Sequence, residues 1–330
     1  MTPEPFVLAL LLLALGAYAL LGGADFGAGV WEFQLGTRPA PADRRLIARA
    51  IGPVWEVNHI WLLFLLILLF TCYPPAFERL CRELYLPLLL ALAGIVARGA
   101  GFVFRSYGPR DLGSRTLWTA VFAFASTTTP FFLGASLGAV ASFELGVDDA
   151  RPAWTHPLAI YSGFLGVAIC AFLAAVFLVR EARRGGDSEL EESWRQRALV
   201  SGAWAGAAAG IGLLFVRGAA PELAERLYQH GELWIGLSIS SGLATMVALA
   251  LRRPTLASAT AAGAVLGVLF GVAHALYPQI LPPTMDLASA RAEDVVLWTV
   301  VWGVACGLVI LLPSLWLLFR LFKSDAPPNP

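Results

Sequence analysis

The chain has 330 residues, of which 58% are hydrophobic and 14% charged, with zero formal net charge and a mean hydropathy of +0.71. Soluble domains carry roughly 25% charged and 45–50% apolar residues, so this composition excludes an ordinary soluble domain and calls for lipid as solvent. The lone lysine, Lys323, excludes a Walker-type phosphate loop, and no basic patch interleaved with aromatics supports nucleic-acid binding.

A membrane-spanning helix needs about 20 mostly apolar residues. In chain order the predicted spans are 6–34, 46–72, 80–104, 116–144, 158–179, 197–216, 231–251, 255–276 and 295–321. The first could be mistaken for a signal peptide, with Ala17-Tyr18-Ala19 as a small-residue cleavage site. A signal peptide has a basic leading region, and the first basic residue here is Arg38, so 6–34 is read as an uncleaved span. Prolines punctuate the connections at Pro39, Pro41, Pro74, Pro75, Pro109, Pro152, Pro221, Pro254, Pro282 and Pro283, and the stretch 181–197 reads as a polar loop. The tail 323–330 is polar and proline-rich and is expected to be disordered. Rows of small residues at four-residue spacing (Gly23 and Gly27; Gly202, Gly206 and Gly210; Gly263, Gly267 and Gly271) would let helix backbones approach closely.

Of the four cysteines, Cys170 and Cys306 fall in apolar runs and are expected to be buried small hydrophobes. Cys72 and Cys81 flank one short loop, which allows but does not require a bridge. No Cys-x-x-Cys pair indicates zinc or a redox dithiol.

Basic residues set the orientation. Sixteen of the 23 lie in the odd-numbered connections and the C-terminus, six in the even-numbered ones, and one, Arg98, inside a span. The N-terminus is therefore expected outside and the C-terminus in the cytoplasm. An error in span count would break this alternation, so the alternation supports nine.

Ionisable residues within spans are costly and face a partner, a polar path or the bundle interior. Asp25 interrupts the first span, Glu56 lies in the second and Arg98 near the end of the third. With the boundaries above they sit about 14, 15 and 9 Å from the cytoplasmic edge at 1.5 Å per residue, which places all three in one layer. Glu56 and His59 share a helix face at a spacing of three, and Trp55 and His59 at four. A carboxylate beside an imidazole can relay protons; equally, Arg98 can simply neutralise Asp25 or Glu56 and clasp the bundle. The four histidines, His59, His156, His230 and His274, do not pair in depth, so no bis-histidine haem is expected in this chain.

Several segments resemble subunit II of the cytochrome bd-type quinol oxidases: Gly23-Ala24-Asp25-Phe26-Gly27-Ala28-Gly29, Ile51-Gly52-Pro53-Val54-Trp55-Glu56-Val57-Asn58-His59-Ile60-Trp61-Leu62, Arg98-Gly99-Ala100-Gly101-Phe102-Val103-Phe104-Arg105, and Leu276-Tyr277-Pro278-Gln279-Ile280-Leu281-Pro282. The resemblance is strongest over the first third of the chain. It implies an all-α polytopic membrane protein, nine helices arranged as two four-helix bundles plus one peripheral helix. The implied division is 1–144 as the bundle carrying the motifs, 145–322 as helices five to nine, and 323–330 as a cytoplasmic tail.

The resemblance also implies a bacterial inner-membrane heterodimer with a haem-bearing subunit I that holds two haems b, one haem d and the quinol site, with no haem in this chain. Small single-helix accessory subunits and a structural quinone or lipid are further implied partners. Subunit II of that family supports the haem subunit and lines a cytoplasmic proton path. The acidic position after the motif tryptophan, usually aspartate, is here Glu56, and His59 stands where other members carry a different residue. The implied site is thus Asp25, Trp55, Glu56, His59 and Arg98. A proton-coupled secondary transporter is the rival from another class, and a membrane scaffold with an electrostatic clasp the third reading. Broken helices and inverted repeats, common in transporters, are not evident.

The orientation is testable by a reporter fused after Lys323. It should be active in its cytoplasmic form, and activity confined to the periplasm would overturn the span count.

Overall fold

The computed structural model describes residues 2–36, 41–51, 55–107, 112–147 and 151–323. The first half contains α1 (Glu4–Leu35), α2 (Pro41–Ile51), α3 (Trp55–Cys72), α4 (Pro74–Glu83), α5 (Tyr85–Tyr107) and α6 (Leu112–Ala141). The second contains α7 (Pro157–Arg184), α8 (Ser188–Ala219), α9 (Pro221–His230), α10 (Glu232–Ala250), α11 (Pro254–Leu276), α12 (Leu287–Ala290) and α13 (Asp294–Lys323). Among the described residues eight helices are long and apolar enough to cross a membrane, and the bent pair α3–α4 makes a ninth candidate. The protein is an all-α polytopic membrane protein. Its only strands among the described residues, β1 (Gln279–Leu281) and β2 (Met285–Asp286), pair as a small antiparallel hairpin where the chain leaves α11.

The structure corrects several boundaries. The predicted span 46–72 covers the end of α2 and all of α3, and 52–54 between them lie outside the described residues. α2 is amphipathic and buries Leu46, Ile47 and Ala50 in the core that also holds Trp31 and Trp194. The third span does not start at 80. Pro74 and Pro75 occupy the first turn of α4, where a missing N–H is harmless, and α4 folds away from α3 by 117°. Its four charges, Glu78, Arg79, Arg82 and Glu83, suit an interfacial helix, and the next long helix starts at Tyr85.

The polar stretch 181–197 is not a loop. α7 and α8 run through it and leave only a tight turn at 185–187. Ion pairs within each helix, Arg184–Glu181 (2.7 Å) and Arg195–Glu192 (2.5 Å), help these ends persist. Gly186 supplies the left-handed turn (φ 72°), and Asp187 caps α8 by accepting the Leu190 N–H at 3.0 Å. The four cysteines are free; Cys72 is buried and Cys81 exposed, and Cys306 is exposed on α13 rather than buried. The tail 324–330 lies outside the described residues.

α1 is the hub, packing against α3, α6 and α7, while α7 also contacts α6, α8 and α11. Glycines allow the close approaches. A methyl group on Gly27 would land on the Cys170 carbonyl of α7, and one on Gly29 would overlap the Ser126 side chain of α6. Of the later rows, Gly202 meets Met246 and Phe172, and Gly267 meets Ser238, whereas Gly206 and Gly210 face open space.

This predicts an asymmetry between two alanine substitutions. Gly27→Ala should destabilise the detergent-purified protein by about 1–3 kcal/mol or more through overpacking, seen as a lower melting temperature and yield. Gly206→Ala should be neutral or stabilising by up to about 1 kcal/mol, since a helical Gly is replaced where nothing obstructs. Equal melting of the two variants would contradict the packing account.

Candidate functional site

The site starts from the glycine-flanked Asp25. Because Gly27 and Gly29 bring α1 against α7 and α6, Asp25 sits in a three-helix seam with 4% of its surface exposed. α5 packs against α6 and delivers Arg98, 1% exposed. Its Nη2 donates to Asp25 Oδ1 at 2.6 Å and reaches the Asp25 carbonyl at 3.4 Å, and Nε donates to Ser126 Oγ at 3.1 Å. The guanidinium carbon lies 5.2 Å from the Phe26 ring centroid and 5.0 Å from that of Phe122. The cation thus has an anion, a hydroxyl and two aromatic faces, the surroundings a buried guanidinium needs.

A second rung repeats the first. Glu32 and Arg105 are each seven residues further along α1 and α5, about 10 Å at helical rise, and form an ion pair that is also mostly buried. Arg105 lies 3.9 Å over the same Phe122 ring and 5.4 Å over Phe102. A third rung joins α2 to α8: Arg197 donates to both oxygens of Asp43 at 2.7 and 3.4 Å and lies 4.5 Å over the Trp194 ring. Trp194 meets Trp31 edge to face at 5.5 Å, and Trp31 Nε1 donates to the Ala171 carbonyl at 2.8 Å.

From α3, Asn58 Nδ2 donates to the Leu21 carbonyl at 3.3 Å, and the His59 ring lies 5.8 Å from Phe26 and 6.0 Å from Tyr18. Asn58 and His59 are both close enough to act on the Asp25 charge. Among the described residues, Asp25 Oδ2 accepts no hydrogen bond. The structure therefore brings Asp25, Arg98 and His59 together. The side chains of Trp55 and Glu56 lie outside the described residues. The backbone places Glu56 in the first turn of α3, so the depth reckoned from a helix start at 46 does not apply to it.

Sequence reasoning missed Glu32, Arg105, Ser126 and Phe122. The equal offset of seven from Asp25 to Glu32 and from Arg98 to Arg105 was the available signal; Arg105 was instead assigned to a loop. Of the other histidines, His156 Nδ1 accepts the Leu158 N–H as a helix cap, and His230 and His274 are exposed at helix ends. No three His, Cys, Asp or Glu side chains converge among the described residues.

Residues 4–322 match the family of cytochrome bd terminal oxidase subunit II. The chain belongs to that family. Over 118 residues it is 33% identical to the cytochrome bd ubiquinol oxidase subunit 2 of Bacillus subtilis, covering 36% of this chain. Over 121 residues it is 27% identical to the cytochrome bd-I ubiquinol oxidase subunit 2 of Escherichia coli K12, covering 37% of this chain. These stretches span about a third of the relatives' own length, 34% and 31%. A chain of the bd oxidase from Geobacillus thermodenitrificans shares the fold, with a TM-score of 0.76 and 22% identity over 98% of this chain and 100% of that one.

The first rung makes a stability prediction. Arg98→Leu should cost about 3–5 kcal/mol, because it strands the buried Asp25 carboxylate. Adding Asp25→Leu should restore much of the loss in melting temperature. A double variant no better than the single one would show that the pair is not coupled.

Proposed function

We propose that this chain is the non-haem subunit of a bd-type terminal quinol oxidase. It supports a haem-bearing subunit I and lines a cytoplasmic path for the protons consumed when oxygen is reduced to water. The supporting observation is the family match over 4–322 taken with the buried pair at Asp25, whose second carboxylate oxygen accepts no hydrogen bond among the described residues. A clasp alone would gain from satisfying both oxygens. A group that takes up and releases protons needs one oxygen open to water.

In this reading subunit I holds the two haems b, haem d and the quinol site, and this chain supplies none of the redox chemistry. The complex sits in the bacterial inner membrane with the N-terminus of this chain periplasmic and its C-terminus cytoplasmic. The division into two four-helix bundles plus one peripheral helix, small single-helix accessory subunits and a structural quinone or lipid belong to the same proposal.

Each path residue has a role. Glu56, in the first turn of α3, takes protons from the cytoplasmic side, with Trp55 its neighbour in the sequence motif. Asp25 receives the proton on Oδ2 while Arg98 holds Oδ1 in place. His59, one turn along α3 from Glu56, lies on the onward side of Asp25.

Turnover per haem in the assembled complex tests the assignment. Glu56→Gln keeps shape but cannot carry a proton, so turnover should fall by roughly a hundredfold, the low end for positioned proton transfer, with the haem spectrum intact. Glu56→Asp should retain much of the activity. Normal turnover per haem in the Gln variant would end the path assignment for Glu56.

A further inference from the structure

A second buried polar atom near Asp25 also makes no hydrogen bond among the described residues. Tyr18 lies on α1 seven residues before Asp25, so Tyr18, Asp25 and Glu32 form one heptad stripe, and each is at most 7% exposed. Among the described residues, the buried Tyr18 hydroxyl makes no hydrogen bond. Phenol hydroxyls removed from solvent nearly always find a donor, an acceptor or ordered water. The orphan atom therefore calls for a water.

The ring's placement says where that water lies. Tyr18 rests against Gly22: a methyl group there would sit 2.9 Å from Cε2 and 3.0 Å from Cδ2 of the ring. The ring thus lies over the following turn of α1, toward Asp25 and Phe26, instead of back over the preceding one. Its centroid is 6.5 Å from Phe26 and 6.0 Å from His59, both edge to face, and Cys170 closes the cluster from α7. Tyr18 Oη and Asp25 Oδ2, neither of them hydrogen-bonded among the described residues, thus lie beside one cluster of His59, Phe26 and Cys170. Their α-carbons are about 10 Å apart, and the ring laid along the axis covers much of that distance.

We propose that ordered water bridges Asp25 Oδ2 to Tyr18 Oη past His59, and that the Tyr18 hydroxyl is the next proton-relay group beyond Asp25. The inference rests on the proton-path reading above. In the transfer, protonated Asp25 gives its proton to the water and the water passes one to Tyr18 Oη. Tyr18 releases its own proton toward the oxygen-reducing site of subunit I, so the water and Tyr18 end with their original protons and Asp25 ends as the carboxylate, to be reloaded from Glu56. Gly22 is the positioning residue, because any side chain there would displace the ring.

The test uses the complete purified oxidase complex, with Tyr18→Phe and Asp25→Asn compared as turnover per haem. Phe preserves the ring contacts and removes only the hydroxyl. The expected result is a several-fold loss in Tyr18→Phe with unchanged haem content and a larger loss in Asp25→Asn. Wild-type turnover in Tyr18→Phe beside an inactive Asp25→Asn overturns the relay but leaves the path. Wild-type turnover in both overturns the path as well. Loss of haem or yield in Tyr18→Phe sends the decision to a high-resolution map of the wild-type complex. Density for water within hydrogen-bonding distance of both oxygens sustains the relay, and side chains filling the space between them without water overturn it.

Discussion

A carboxylate and a guanidinium placed between transmembrane helices must be desolvated together. In the Asp25–Arg98 pair that requirement shapes everything nearby. The anion reaches the cation only because Gly27 and Gly29 carry no side chain, so that α1 presses against α7 and α6. The cation is tolerated only because Ser126 accepts from Nε and two rings cover its faces. Replacing a buried ion pair by apolar residues is often neutral or stabilising, so retaining one argues weakly for stability and more strongly for a task.

The ladder extends that logic along the bundle. Phe122 lies against both guanidiniums, so the two rungs share one aromatic plate and are fixed relative to each other. The third rung ties the amphipathic α2 to α8 beside the Trp31–Trp194 contact. Carboxylates therefore recur from the end of α1 inward, each held by a single cation. Asp25 differs in also carrying an oxygen that accepts no hydrogen bond among the described residues, near a tyrosine hydroxyl in the same condition.

Much of this was legible in the sequence, for physical reasons. Charges inside apolar runs are rare, so Asp25 and Arg98 stood out, and reckoning helix rise from the cytoplasmic edge placed them in one layer. Their ion pair agrees with that. The boundaries were harder. Pro74 and Pro75 read as a loop between spans but open the interfacial helix α4, so the third span was started at 80 instead of at Tyr85. At 181–197 charge density suggested a loop, but ion pairs spaced three apart stabilise exposed helix. Glu32 and Arg105 were hidden by lying near span ends, where charges are cheap and carry no signal of their own. Cys306 failed as a buried residue because hydropathy in a membrane helix does not separate a protein-facing side from a lipid-facing one.

The central claim is that Asp25 changes protonation during turnover and does not merely neutralise Arg98. Redox-induced infrared difference spectroscopy of the purified complex reads this directly. The account predicts a carboxylic acid C=O band that shifts in heavy water and disappears in Asp25→Asn while the haem redox changes persist. A difference spectrum in which no carboxylic acid band depends on Asp25 would contradict it and leave the pair a structural clasp.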